Sequence, residues 1–239
     1  MTKKRGYWLN WPLVAAALGG VIIGGTVLQL ANGGGKAQTE SIVRDYILEH
    51  PEILPEAMKR LQAKENGQLV ARNQPALEIP FHGAWAGAEK PDVTLVMFTD
   101  YSCGFCRTSV ADIDRLLSED KKLKVVWREI PILGPGSEAA SRAALAAAQQ
   151  GHYLDFHRRM FTDGPPDEAS IARVLQATSV TASADTDGAI TQEIEKNLAL
   201  ARTLGLTGTP TFVIGDKILQ GAVGYKAIKD AIEQQRQAG

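Results

Sequence analysis

The chain has 239 residues, 44% of them apolar, and carries 26 basic against 27 acidic side chains. That length holds one large domain, or one domain with an appendage, and enough apolar side chains for a substantial core. The charge balance argues against nucleic acid as a partner, and two cysteines are too few to staple a secreted fold of this size.

Lys3, Lys4 and Arg5 precede an uncharged stretch from Gly6 to Gly35 with an apolar centre at residues 12–31. A basic start followed by about 20 apolar residues reads as an export signal or a membrane anchor, long enough to span a bilayer. Ala31 and Gly33 are small enough to allow cleavage. Basic residues ahead of the span place the N-terminus in the cytoplasm and the remainder outside, in an oxidising compartment. Residues 1–36 are therefore assigned to a signal peptide or signal-anchor.

From Thr39 the residues Ile42, Val43, Tyr46 and Ile47 recur at helical spacing. His50-Pro51 interrupts, because the residue before proline avoids the helical region. A second helix carries Ile53, Leu54, Ala57, Met58 and Leu61, then fades into a polar run from Gln62 to Gln74. These helices, the region 37–74, are too small for a core of their own. They pack either onto the main domain or onto copies of themselves. Arg72 to Ala88 reads as a connector with a short strand at 77–79.

The third region spans residues 75–239. Val93 to Phe98 is an apolar strand that runs into Cys103-Gly104-Phe105-Cys106, the only cysteines of the chain. A helix over Arg107 to Leu117 follows, then an alternating strand from Lys124 to Ile130 and a loop from Pro131 to Gly136. Helices over Ser137–Gln150, Tyr153–Phe161, Asp167–Ala177 and Ala189–Leu204 form an insertion at about 137–205, closed by Gly205 as a left-handed cap. After Gly208-Thr209-Pro210 come strands Thr211–Ile214 and Lys217–Gln220 about a tight turn at Gly215-Asp216, and a helix from Tyr225 to Gln237. The first two strands suit a parallel crossover and the last two a hairpin, so the fold class is α/β with a mixed sheet.

Two thiols two residues apart on the first turn of a helix can close and open a small disulfide. The thiolate is the reactive form, and a helix N-terminus favours negative charge, which gives Cys103 the attacking role. Cys106, one turn in, is the resolving thiol, and Gly104 and Phe105 tune the pair. Structural zinc needs four ligands, and the nearest histidines, His152 and His157, lie far along the chain at the wrong gap, so no metal site is assigned. Those histidines read as packing or surface groups. Two soft thiolates suit Cu(I), which stays open as an alternative.

The strand entering Cys103-Gly104-Phe105-Cys106, the helical insertion and Gly208-Thr209-Pro210-Thr211-Phe212-Val213 before a hairpin together resemble the DsbA-like branch of the thioredoxin superfamily. The likeness runs over roughly Val93 to Ala238. The segment from Ile42 to Leu54, with His50-Pro51 inside it, is similar to the N-terminal region of the copper-sensitivity-suppressor ScsC proteins. The resemblance implies a thioredoxin-like sheet with an inserted helical domain, and a periplasmic thiol:disulfide oxidoreductase that forms or isomerises disulfides in exported proteins. It implies no cofactor beyond the redox-active Cys103–Cys106 disulfide, a membrane redox partner, and a homo-oligomer through residues 39–62. If uncut, residues 12–31 anchor the protein to the inner membrane. Pro210 is expected to be cis, leaving the backbone of Thr209 open to a substrate strand, and a Thr before that proline resembles the isomerase and reductase branches. The alternatives are a Cu(I)-binding copper-tolerance protein and a tethered chaperone-like binding module. One departure is Met97, where many relatives carry a buried acid six residues before the first cysteine, so that either Asp100 or a water substitutes or proton transfer is slower.

Overall fold

The structure is a computed structural model that describes residues 35–181, 185 and 188–238. The apolar segment at residues 12–31 lies outside the described residues, and among the described residues no helix is long and apolar enough to cross a membrane. The chain divides into two units, Met1–Arg60 and Leu61–Gly239.

In the first unit, helix α1 (residues 35–49) ends at His50-Pro51, and α2 (Ile53–Glu78) begins just beyond. Ile42, Val43, Tyr46, Leu48, Leu54 and Met58 are each more than half exposed. Ile42, Val43 and Tyr46, the spacing read from the sequence, are thus exposed on α1, and Leu54 and Met58 are exposed on the start of α2.

In the second unit α2 does not fade at Gln62. It continues to Glu78, through the stretch expected to be a connector with a short strand at 77–79. Gln, Lys, Glu, Arg and Ala make up most of the polar run, and they hold a helix by propensity. Its buried residues are only Val70 and Leu77, seven apart, too sparse a pattern to register as an amphipathic period.

Five strands form the sheet in the order β1-β3-β2-β4-β5. They are β1 (Trp85–Gly87), β2 (Val93–Thr99), β3 (Leu123–Glu129), β4 (Thr211–Ile214) and β5 (Lys217–Gln220). β2 and β3 run parallel, with Val93 opposite Leu123 and Thr99 opposite Glu129, while β1–β3, β2–β4 and β4–β5 are antiparallel. The three-residue β1 was not anticipated, being too short to show alternation. It ends at Gly87, where φ is +99° and a Cβ would lie 2.2 Å from the Leu123 carbonyl oxygen, so glycine alone fits.

The helices are α3 (Gly104–Glu119), α4 (Pro135–Gln149), α5 (Tyr153–Thr162), α6 (Glu168–Ala177), α7 (Ala189–Thr203) and α8 (Gly224–Ala238). Each lies within a few residues of its expected span. The sheet is covered on both sides, which is why β2 reads as a continuous apolar run. Leu95, Met97, Val125 and Trp127 face a core with Ile113, Leu116, Phe156, Met160, Ile228 and Ile232. Val96, Phe98, Val126 and Val213 face Val70 and Leu77 of α2, Leu200 of α7 and Leu204, which caps α7. The first core contains Cys103 and Cys106.

Candidate active site

The parallel crossover brings the end of β2 to the start of α3, and the cysteines sit at that joint. Cys103 is the N-cap of α3, in extended backbone (φ −83°, ψ 113°), and its Sγ accepts the Cys106 backbone N–H at 3.4 Å. The Cys103 N–H donates to the Asp100 carbonyl at 3.1 Å, which closes the entering turn. The Cys103 Sγ also donates to the carbonyl of Thr209, 106 residues away, at 3.2 Å. The Thr209–Pro210 bond is cis. Cys103 keeps 7% of its surface exposed, whereas Cys106 keeps none. Burial is the main cause that pushes the Cys106 thiol up to about 12. Gly104 lies on the surface and Phe105 is 67% exposed. The six positions singled out in the sequence therefore divide into two groups: Cys103, Cys106, Thr209 and Pro210 meet, while Gly104 and Phe105 form the outer rim.

Asp100 does different work from that expected of it. Its carboxylate accepts from the N–H groups of Ser102 (2.8 Å), Ile132 (2.8 Å) and Leu133 (3.0 Å) and from Ser137 Oγ (2.6 Å). Four donors occupy its lone pairs, so it is a clamp between the cysteine turn and the loop after β3 and not a free proton carrier. That loop turns Ile132 and Leu133 to solvent, each about half exposed.

Sequence reading missed Glu129, the last residue of β3, which is fully buried. Its Oε1 lies 2.6 Å from Tyr153 Oη and 3.1 Å from Tyr101 Oη, and its Oε2 lies 3.0 Å from Ser141 Oγ. His157 Nδ1 joins the cluster at 3.1 Å from Tyr101 Oη and 3.4 Å from Tyr153 Oη. Burial pushes the Glu129 carboxyl up to about 8 and the His157 imidazole down to about 3. His157 is packed among the rings of Trp127, Tyr153 and Phe161, and His152 is exposed at the N-cap of α5. Among the described residues no group of three or more His, Cys, Asp or Glu is placed to hold a metal ion. The signal for Glu129 was present in Arg128-Glu129, two adjacent charges directly after the apolar run Val125-Val126-Trp127.

These two buried groups give stability opposed pH dependences. Glu129 titrates at 4.5 when unperturbed and at about 8 when folded. It thus contributes stability that is full below 4.5 and lost as pH rises through about 8. His157 moves from 6.5 to about 3, so its contribution is full above 6.5 and lost as pH falls through about 3. Each slope is at most about 1.4 kcal/mol per pH unit, and the two offset each other between 4.5 and 6.5. Thermal melting across pH should show a plateau there with decline on both sides. A melting temperature still rising from pH 6.5 to 8 would contradict this assignment.

Residues 94–233 match the DSBA-like thioredoxin domain family. The chain belongs to that family. Residues 36–68 match the copper resistance protein ScsC N-terminal domain, so the DSBA-like domain follows an ScsC-type segment. A thioredoxin-like oxidoreductase from Silicibacter pomeroyi is 37% identical and covers 65% of this chain and 92% of its own, with a TM-score of 0.62. The catalytic domain of Proteus mirabilis ScsC is 29% identical and covers 72% of this chain and 98% of its own, with a TM-score of 0.66. Disulfide bond formation protein D of Bacillus subtilis is 23% identical over 188 residues, which cover 71% of this chain and 80% of that protein. The match to the Na(+)/H(+) antiporter NhaA 3 of Salinispora tropica, at 26% identity, spans 24% of that protein's length, about a quarter.

Proposed function

We propose that this DSBA-like chain is an exported thiol–disulfide oxidoreductase that forms or isomerises disulfides in other exported proteins through Cys103 and Cys106. The observation that carries this reading is the meeting of Cys103 Sγ, at the start of α3, with the Thr209 carbonyl before Pro210, while Cys106 lies buried behind it. Substrate binds as an extended segment against the backbone of Thr209, with apolar side chains on Phe105, Ile132 and Leu133. In the oxidising direction a substrate thiolate attacks Cys103 Sγ of the disulfide and Cys106 leaves. A second substrate thiolate then attacks the mixed disulfide and releases Cys103 as the thiolate. In the reducing direction Cys103 attacks a substrate disulfide and Cys106 resolves the adduct. The Cys103–Cys106 disulfide itself carries the two electrons, and a membrane redox partner resets it. The test is refolding of a reduced and of a scrambled disulfide protein. Catalysis of neither overturns the reading, and the preferred substrate gives the direction.

The domains proposed are an export signal or anchor (1–36), a helical region (37–74) and the DSBA-like catalytic domain (75–239). The protein then works in the periplasm, held at the inner membrane by residues 12–31 if the segment stays uncut. Residues 39–62 make a homo-oligomer, supported by the exposure of Ile42, Val43, Tyr46, Leu54 and Met58. Sedimentation velocity should give a multiple of the chain mass, and Ile42→Glu with Tyr46→Glu should give the monomer. Several catalytic domains in one assembly, and Thr before Pro210, favour isomerisation. A second reading, Cu(I) held by the same thiols, is supported by the copper resistance name of the N-terminal family. It predicts Cu(I) retention against a chromophoric chelator that is lost in Cys103→Ser.

A further inference from the structure

Ile132 and Leu133 stand 48% and 52% exposed on the loop between β3 and α4. Two adjacent large apolar side chains turned to water are unfavourable unless the backbone beneath them is held. Here one group holds it. The N–H groups of Ile132 and Leu133 both donate to Asp100 Oδ2, at 2.8 and 3.0 Å. Successive N–H groups aimed at one oxygen form a small anion-binding concavity. The other oxygen, Oδ1, accepts the Ser102 N–H at 2.8 Å and Ser137 Oγ at 2.6 Å. Ser137 Oγ also lies 2.8 Å from Ser102 Oγ, and the Asp100 carbonyl accepts the Cys103 N–H at 3.1 Å. Asp100 itself is fully buried. A buried carboxylate is costly unless its oxygens are filled, and these four donors fill them. One side chain thus ties the loop after β3 and the first turn of α4 to the turn that carries the reactive sulfur.

We propose that Asp100 determines substrate specificity as a positioning residue: its carboxylate fixes Ile132 and Leu133 relative to Cys103, so that exchange favours polypeptide segments with apolar residues beside their cysteine. Asp100 acts through the loop and carries no proton in this role. Its two oxygens have separate tasks. Oδ2 sets the loop, Oδ1 sets the turn, and the rigid carboxyl group between them fixes one against the other. An amide cannot replace it. Asparagine offers one acceptor oxygen, so its NH2 must face either the Ser102 N–H or the N–H groups of Ile132 and Leu133. The substrate class that matches the rim is an unfolded chain, whose apolar segments are still uncovered when its cysteines react. Peptides with polar residues beside the cysteine have nothing to place on Ile132 and Leu133.

This inference rests on the oxidoreductase reading, and the experiment separates the two. The reduced full chain is mixed with the symmetric disulfides of two short peptides, one with leucine and one with serine on both sides of its cysteine. Attack by Cys103 is followed by acid quench across peptide concentration. The wild type should favour the leucine peptide in kcat/KM by about 10-fold, the lower end for an apolar contact in a binding site. Asp100→Ala should abolish that preference, with the loss in KM for the leucine peptide. Ile132→Ser with Leu133→Ser should do the same, and the triple variant should lose nothing further, because Asp100 acts through the loop. A wild type without the preference overturns the inference alone, as does an Asp100→Ala protein that slows both peptides alike and keeps the ratio. Should Asp100→Ala fail to fold, amide hydrogen exchange of the wild type decides together with the double variant. Slow exchange at Ile132 and Leu133 with a lost ratio supports the inference, and fast exchange there or a kept ratio overturns it. A reduced wild type that attacks neither disulfide overturns the oxidoreductase reading and this inference with it.

Discussion

Serine at position 103 is expected to reduce disulfide exchange to the uncatalysed background, while serine at position 106 traps the protein on its substrate. The difference follows from where the two sulfurs lie. Cys103 caps α3 and keeps 7% exposure, and Cys106 has none, so of the two sulfurs an incoming one reaches Cys103. Without Cys103 no mixed disulfide forms in either direction. Without Cys106 no internal disulfide forms, but the Cys103 thiolate still attacks a substrate disulfide, and that adduct has no internal thiol to resolve it. Non-reducing gels should show a covalent complex with a reduced-and-reoxidised substrate for Cys106→Ser and none for Cys103→Ser. A complex through position 106 in the Cys103→Ser protein would reverse the assignment of roles.

Arg128→Ala is expected to destabilise the fold by about 3–5 kcal/mol, the cost of leaving a buried charge without its partner. Arg128 is fully buried in β3 on the face opposite Glu129. Its Nη1 donates to Glu193 Oε1 at 2.6 Å and to Asn197 Oδ1 at 3.3 Å. Its Nη2 donates to the carbonyls of Ala76 (2.6 Å), Leu77 (3.0 Å) and Ile79. The carbonyls at the end of α2 have no intrahelical partners, and a cation is the group best suited to them. Removing it leaves these oxygens without their donor and leaves the Glu193 carboxylate with only the partly exposed Lys196 ammonium at 3.4 Å. Lysine has no planar fork and should not rescue. Arg128→Met with Glu193→Leu should recover much of the loss, because replacing both charges by apolar groups removes the unpaired ion. Denaturant midpoints at constant slope measure each case, and a loss below about 1 kcal/mol for Arg128→Ala would show that the contacts are not held in solution.

Most of the fold could be read from the residues because its elements are long enough to show a period. β2 and β3 showed their strand pattern, α3 to α8 showed their helical spacing, and the Cys103–Cys106 pair with Thr209-Pro210 pointed to residues that the structure brings together. The second half of α2 was hidden by its own chemistry: one buried side chain every two turns leaves no stripe to count. β1 was hidden by length. Arg128 and Glu129 were hidden for another reason. A charge in a sequence reads as surface, and what makes these two buried is supplied by α2, α7, α4 and α5, from segments 12 to 69 residues away. Asp100 was noticed, but its role could not be inferred until the loop at Ile132 and Leu133 was seen folded onto it.

The pleat of β3 has a consequence for how this chain reaches its native alignment. Successive residues of a strand point to opposite faces, so Arg128 enters the layer of α2 and α7 while Glu129 enters the layer of the tyrosines. A slip of one residue along β2 would put a guanidinium among Tyr101, Tyr153 and His157 and a carboxylate against the carbonyl end of α2. Both are prohibitive. The adjacent pair of opposite charges thus works as a two-sided key, rejecting the misaligned sheet that an all-apolar strand would tolerate during assembly.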